Sequence, residues 1–233
     1  MTFTPQSLRF LRALKRNNRR DWFAAHRDEY ETVLRAPMRD LVEDVDVELA
    51  RIAPELVGHP TRSVFRIHRD IRFSADKSPY KTHAAAWFYH RDADRTVGSG
   101  GGGAGLYFHL EPGGSLIAGG VWMPPRESLA RIRGALARDH AVFARITRGA
   151  AFRRRFGPLD EDRMLVRLPR GFAADSPAAP WLRYQSFTVS RALGDAEVLR
   201  ADLPRRVARD YAALIPLVRW LNAALGYAAA VRR

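Results

Sequence analysis

Cysteine does not occur in the 233 residues, which excludes disulfides, iron–sulfur clusters and thiol catalysis and fits a reducing compartment. Lysine is nearly missing as well: Lys15, Lys77 and Lys81 stand beside 36 arginines among the 39 basic residues. No apolar run approaches the roughly 20 residues of a membrane span, and Ala84 to Tyr89 is far too short. The first 18 residues lack the apolar segment of a signal peptide, so a cytoplasmic chain without membrane association is expected. Chemistry that shows itself in fixed spacings is absent too. There is no HExxH helix, no GxSxG elbow and no Rossmann glycine fingerprint. The glycine run ending at Gly105 lacks the Gly-Lys-Ser/Thr of a phosphate loop and reads as a strand connector. No cofactor is implied, and no metal is expected where so many arginines would oppose a cation.

What is present is a foldable chain. Hydrophobic residues make up 46% and there are five tryptophans, enough for a sizeable core. The net charge of +14 is uneven, because Arg126 to Arg170 holds 12 arginines against five acids. Such a surplus attracts phosphate backbones. Arg131, Arg138 and Arg145 would line one flank of a long helix, the basis of a nucleic-acid-binding alternative. The competing reading is compositional, with arginine filling ordinary surface positions.

Periodicity orders the chain. Leu8, Leu11 and Leu14 mark a helix interrupted at Asn17-Asn18, and Trp22, Phe23, Tyr30 and Leu34 a second that Ala36-Pro37 should break. Leu41, Val45, Leu49 and Ile52 mark a third. Strands are expected over Val64–Phe73, His83–His90, Leu106–Glu111, Ser115–Met123, Arg163–Leu168 and Tyr184–Ser190. A long helix after Pro124-Pro125 should run to Ile146, and terminal helices to about Gly226, broken near Pro204 and Pro216. The reading is an α+β fold with a largely antiparallel sheet of about five to six strands, flanked by N-terminal, central and C-terminal helices. One domain is expected over 1–233: a helical part to residue 56, a sheet-rich middle over 63–190, and helices over 195–226.

The stretch Ser63 to His83 carries the densest chemistry. Alternation through its first half would put Phe65, Ile67, Ile71 and Phe73 on one strand face and Arg66, His68, Asp70 and Arg72 on the other. The hairpin strand offers Tyr107, His109 and Glu111 on one parity. Side by side, these would make a polar sheet face. Arg66, Arg72, Lys77, Tyr80, Lys81 and His83 would bind a phosphate- or carboxylate-bearing small molecule. Asp70, His109, Glu111 and Lys81 are the candidates for catalysis, if any occurs. The inert alternative is a cross-strand ion-pair network, structural or serving a partner.

The same residues resemble domain-of-unknown-function family 2461. The resemblance runs from about Phe3 to Val198 and rests on three elements: Asn17-Asn18-Arg19-Arg20-Asp21-Trp22-Phe23 followed by Tyr30; Phe65-Arg66-Ile67-His68-Arg69-Asp70 continued through Arg72-Phe73-Ser74 and Asp76 to His83; and His109-Leu110-Glu111-Pro112-Gly113 with Gly119-Gly120 and Met123-Pro124. The family pattern often has tyrosine where His68 stands. The resemblance implies a shared fold and a shared site, without an activity attached.

Overall fold

The computed structural model describes residues 2–93 and 103–230; the connector reading of Gly98 to Gly102 lies outside them. Proline opens the first helix, Pro5–Arg16 (α1), where its missing N–H is no loss. Arg20–Ala25 (α2) and Arg27–Tyr30 (α3) follow, and then a π-helical turn, Glu31–Arg35, leads without interruption into Ala36–Ile52 (α4). The break expected at Ala36-Pro37 does not form. Ala36 N–H reaches back five residues to the Glu31 carbonyl, and this change of ladder register places Pro37 in a first turn, where no donor is required.

The sheet is antiparallel. Leu56–Val57 (β1), Ala84–His90 (β2), Gly105–Leu110 (β3), Ser115–Val121 (β4) and Phe187–Leu193 (β5) lie side by side in chain order. Between β4 and β5 come Arg126–Arg138 (α5), Ala141–Arg148 (α6), Ala150–Phe156 (α7) and Ala179–Leu182 (α8). Asp195–Val198 (α9) and Leu203–Leu225 (α10) end the fold. It is an α+β fold, and among the described residues the sheet has five strands.

Alternation decides which sheet face is covered. In β3, Leu106, Phe108 and Leu110 are fully buried beneath helices, while Tyr107 and His109 are only partly covered on the opposite face. Helix α10 packs across β3 and β4, and α4 packs on β1 and β2. Phe88 of β2 meets Tyr211 of α10 edge-on at 5.6 Å, and Phe3 stacks on Phe108 at 6.0 Å. The helices therefore lie against one face and leave the Tyr107–His109 face to build a site.

Four expectations need correction. Val64–Phe73 is not a strand: it makes isolated bridges only, Val64 to Ala86 and His68 to Tyr80. Local bonds win there. The Asp70 carboxylate accepts the Arg72 backbone N–H at 3.2 Å and the Asp76 carboxylate that of Ser78 at 2.8 Å, which bends the chain away from a ladder. Phe73, expected on the buried parity, is 96% exposed. The long central helix is two helices, because Asp139 leaves helical conformation and its side chain accepts the Ala141 N–H at the start of α6. Arg163–Leu168 keeps only a Met164–Tyr184 bridge, with Val166 exposed, and the strand expected from Tyr184 begins at Phe187. Finally, α10 passes through Pro216 unbroken. Leu214, Ile215, Leu217 and Val218 are all buried around it, and that packing outweighs the lost hydrogen bond. Pro204 merely opens the helix.

Candidate functional site

The segment that fails to become a strand is still firmly held. Residues 63–65 run beside β2, with Phe65 N–H donating to Ala85 and Trp87 N–H to Ser63, both at 3.0 Å. The chain then leaves the sheet and pairs with the turn ahead of β2: Lys81 N–H donates to the Ile67 carbonyl at 2.8 Å and Arg69 N–H to that of Pro79 at 2.9 Å. On the far side of this small hairpin Asn18 acts as a surrogate strand. Its amide donates to the Tyr80 carbonyl at 2.8 Å and accepts the Tyr80 N–H at 3.0 Å. The Tyr80 ring, buried, stacks on Phe23 at 4.1 Å. The Asn17–Phe23 and Asp76–His83 motifs are thus two halves of one junction. Asn18→Ala would leave both Tyr80 backbone groups unpaired, and is expected to cost about 1–3 kcal/mol, read as a lower urea midpoint with unchanged m-value.

Beside this junction is a cavity of about 520 Å³. Phe23, Tyr30, Phe65 and Tyr80 supply aromatic wall, and Arg27, Arg35, Arg39, Arg66 and His68 supply charge and donors. Arg35 is committed to Glu31 at 2.7 Å, whereas Arg27, Arg39 and Arg66 have no ion-pair partner among the described residues. The π-helical turn carries Glu31 and Arg35 to the rim, with Arg39 one helical step further. Burial, opposed by Arg35, pushes the Tyr30 phenol up, so it stays protonated near neutrality and can donate.

A second cluster lies on the open sheet face. The β2–β3 register pairs Ala85 with His109, which brings His83 alongside; the two imidazoles sit 4.3 Å apart, tilted by 31°. Tyr107 Oη lies 3.0 Å from His109 Nδ1, and Glu111 Oε2 lies 3.2 Å from His109 Nε2. Burial, then His109 and Lys81, push the His83 pKa down to about 4, with Glu111 opposing, so this ring is neutral at physiological pH. Burial and the Glu111 charge push the Tyr107 phenol up to about 12. Lys81 lies 5.2 Å above the Phe65 ring, and burial, followed by repulsion from Arg66, lowers its pKa. Lys15 approaches Glu111 at 3.9 Å.

The expected common face therefore divides. Arg66 and Tyr80, with His68, line the aromatic cavity, while Lys81, His83, His109 and Glu111 gather on the sheet face. Asp70 joins Arg69, Lys81, Thr82 and His83 around a shallow depression and is itself paired with Arg72 at 2.6 Å, which holds its carboxyl down at about 2. Arg72 is exposed in that pair, and Lys77 donates to the Ile71 carbonyl at 3.0 Å; both brace the loop. Sequence reasoning missed Arg27, Arg35 and Arg39. With Glu31 they recur every four residues, a helical row, but among 36 arginines such a row carries little contrast. The nucleic-acid row does not form as expected: Arg131 and Arg138 are on α5, Arg145 is on α6, and Arg131 donates to the Leu225 carbonyl. Among the described residues no helix is long and apolar enough to cross a membrane.

Searches of curated proteins and of solved structures found nothing that matches the chain. A family model does match. It covers residues 6–220, and so takes in the Asn18–Tyr80 junction, the cavity and the histidine cluster together. The chain belongs to the family described as conserved hypothetical protein, DUF2461.

Proposed function

We propose that the cavity beside the Asn18–Tyr80 junction binds a small anion with an aromatic or apolar body, such as a nucleotide or an aryl phosphate. One observation carries this reading: Arg27, Arg39 and Arg66 line a concave, aromatic-walled space whose lining carboxylate, Glu31, is already committed to Arg35. Uncompensated guanidiniums repel each other, and a phosphate or carboxylate that enters relieves the repulsion while accepting forked hydrogen bonds. The volume suits a metabolite of nucleotide size. Phe23, Tyr30 and Tyr80 offer ring faces or edges to an aromatic body. In this reading His68 is a hydrogen-bond donor at the rim.

The test is a thermal-shift comparison using inorganic phosphate, AMP and phenyl phosphate on wild type, Arg66→Met and Lys81→Met. A ligand selective for the folded state raises Tm by mass action. At least one aromatic phosphate should stabilise the wild type more than phosphate alone does. Arg66→Met should weaken that binding by about 1.5–3 kcal/mol, roughly 10- to 150-fold in Kd. Lys81→Met should leave it intact. If Lys81→Met abolishes the shift while Arg66→Met does not, the anion binds on the sheet face. A wild type indifferent to all three probes removes this reading.

A further inference from the structure

We propose that His83, His109 and Glu111 form a binding site for a divalent transition metal ion, with Tyr107 as the outer partner that orients His109. One nitrogen or oxygen from each of the three residues lies within 4.8 Å of those of the other two. Metal–ligand bonds of about 2.0–2.1 Å in tetrahedral geometry put neighbouring ligand atoms roughly 3.3 Å apart. The His109 Nε2 to Glu111 Oε2 separation of 3.2 Å already matches one such edge. His83, its ring 4.3 Å from that of His109 and tilted by 31°, supplies the third corner.

Three features separate this arrangement from an ordinary surface cluster. The first is order around His109. Without an ion, Nε2–H donates to the Glu111 carboxylate at 3.2 Å and Nδ1 accepts the Tyr107 hydroxyl at 3.0 Å; an ion between His109 and Glu111 would take the place of the Nε2 proton, and Nδ1–H would then donate to the Tyr107 oxygen. The second is position. The His109 side chain is 13% exposed and that of Glu111 30%, so the site is partly dried but still reachable. The third concerns the nearby arginines, whose charge would oppose a cation if it were free to do so. Arg69 is bound to Asp76, Arg72 is bound to Asp70, and Arg66 lines the other cavity. Lys15 is exposed, so water screens much of its charge. Lys81 remains near, at the depression it shares with His83. It would attract an anionic group completing the coordination shell.

The ligand set names the class of ion. Two imidazoles and one carboxylate suit zinc, iron, cobalt or nickel; calcium and magnesium demand mostly oxygen ligands. Three protein ligands leave a position open, the pattern of catalytic rather than structural sites.

The experiment is titration of chelator-stripped protein with Zn²⁺ by calorimetry and with Co²⁺ by visible absorption. Wild type should take one equivalent, with cobalt bands of a four- or five-coordinate ion. His83→Ala and Glu111→Gln should each lose that equivalent, and Tyr107→Phe should weaken it about 10- to 100-fold. His140→Ala, which removes a histidine at the start of α6 and no ligand, should retain it. Circular dichroism checks that each variant is folded; should His83→Ala fail to fold, the partly exposed Glu111→Gln still decides. The proposal is overturned if the wild type takes up neither metal at micromolar concentration, or if both ligand variants bind as well as wild type. The aromatic-phosphate test is read on Arg66→Met, so either site can fail without the other.

Discussion

Arg219→Met is expected to cost about 3–5 kcal/mol of folding stability, far more than a surface ion pair is worth. Glu55 is the reason. Its side chain is 3% exposed, and its carboxylate accepts bonds from Arg219 Nε at 2.6 Å and Nη2 at 3.3 Å, with Ala230 N–H at 3.4 Å. Arg219 Nη2 also donates to the Ile52 carbonyl at 3.0 Å, so one guanidinium ties α10 to the corner between α4 and β1. Methionine fills similar space but strands a buried carboxylate. The reverse change is milder: Glu55→Gln leaves an arginine that is 36% exposed and can turn to water. The double variant Glu55→Gln/Arg219→Met should lie close to Glu55→Gln alone, a coupling that a double-mutant cycle measures.

The pH dependence sharpens this. In the wild type burial pushes the Glu55 pKa up, but the Arg219 hydrogen bond and charge, together with the Glu55 and Ala230 backbone N–H groups, outweigh it and the pKa falls below the ordinary carboxyl value. A depressed folded pKa contributes stability above the unfolded pKa, and that contribution is lost as pH falls through the folded one. Without Arg219, burial, the largest influence, is opposed only by the Glu55 and Ala230 backbone N–H groups, and the sign is expected to reverse. The penalty is then full at neutral pH and is relieved as pH falls from the raised folded pKa towards the ordinary carboxyl range. Urea unfolding at pH 7 and near pH 4.5 should show the deficit of Arg219→Met narrowing at the lower pH. A deficit equal at both would mean that the stranded charge is not its source.

Residues 105 to 121 were legible in advance because local chemistry and tertiary packing agree there. Leu106, Phe108 and Leu110 alternate with Tyr107 and His109, Pro112-Gly113-Gly114 supplies the turn, and both strands form. Residues 64 to 73 alternate as strictly and form no strand. Alternation states which side chains could share a face, but not whether a partner strand is there to accept the backbone. Here Asp70 and Asp76 satisfy that backbone locally. The functional consequence is large, because Arg66 and His68 leave the sheet and line a cavity whose other wall comes from α2, α3 and the π-helical turn. His109 and Glu111 could be paired from sequence, since two residues in one strand share a face. His83 was expected at the same polar face, but its place beside His109 rests on the β2–β3 register, which depends on how the intervening chain closes. Asn18 reads in the sequence as a helix interruption and as part of the Asn17–Phe23 motif, but neither reading points to Tyr80, since its bonds there span 62 residues.

Gly120→Ala is the second large effect, and the pair Gly119-Gly120 lets two physical causes be told apart. Gly120 has φ +125°, a conformation that L side chains rarely adopt, and an added Cβ would lie 1.9 Å from the Phe187 carbonyl oxygen. That oxygen belongs to the backbone of β5, which pairs with β4 from Ser115 to Val121, so it cannot retreat without parting the two strands. Backbone strain and overpacking each cost about 1–3 kcal/mol, and here they act together. At about 2–4 °C per kcal/mol for a chain of this size, a combined cost of about 2–6 kcal/mol should lower Tm by roughly 4–24 °C. Gly119 faces the other way. Its added Cβ would meet the Leu214 Cδ1 of α10 at 2.9 Å, the end of a flexible side chain, and its φ is not in the strained region. Gly119→Ala should therefore cost about 1–2 kcal/mol, the lower part of the overpacking range. Gly113→Ala isolates the conformational part, with φ +73° and nothing within 4 Å of an added Cβ, and should cost about 1 kcal/mol. Thermal unfolding of the three variants should rank Gly120→Ala well below the other two. If it unfolds within 2 °C of Gly113→Ala, then β5 yields to the methyl, and the approach of the two strands is not what requires glycine at that position.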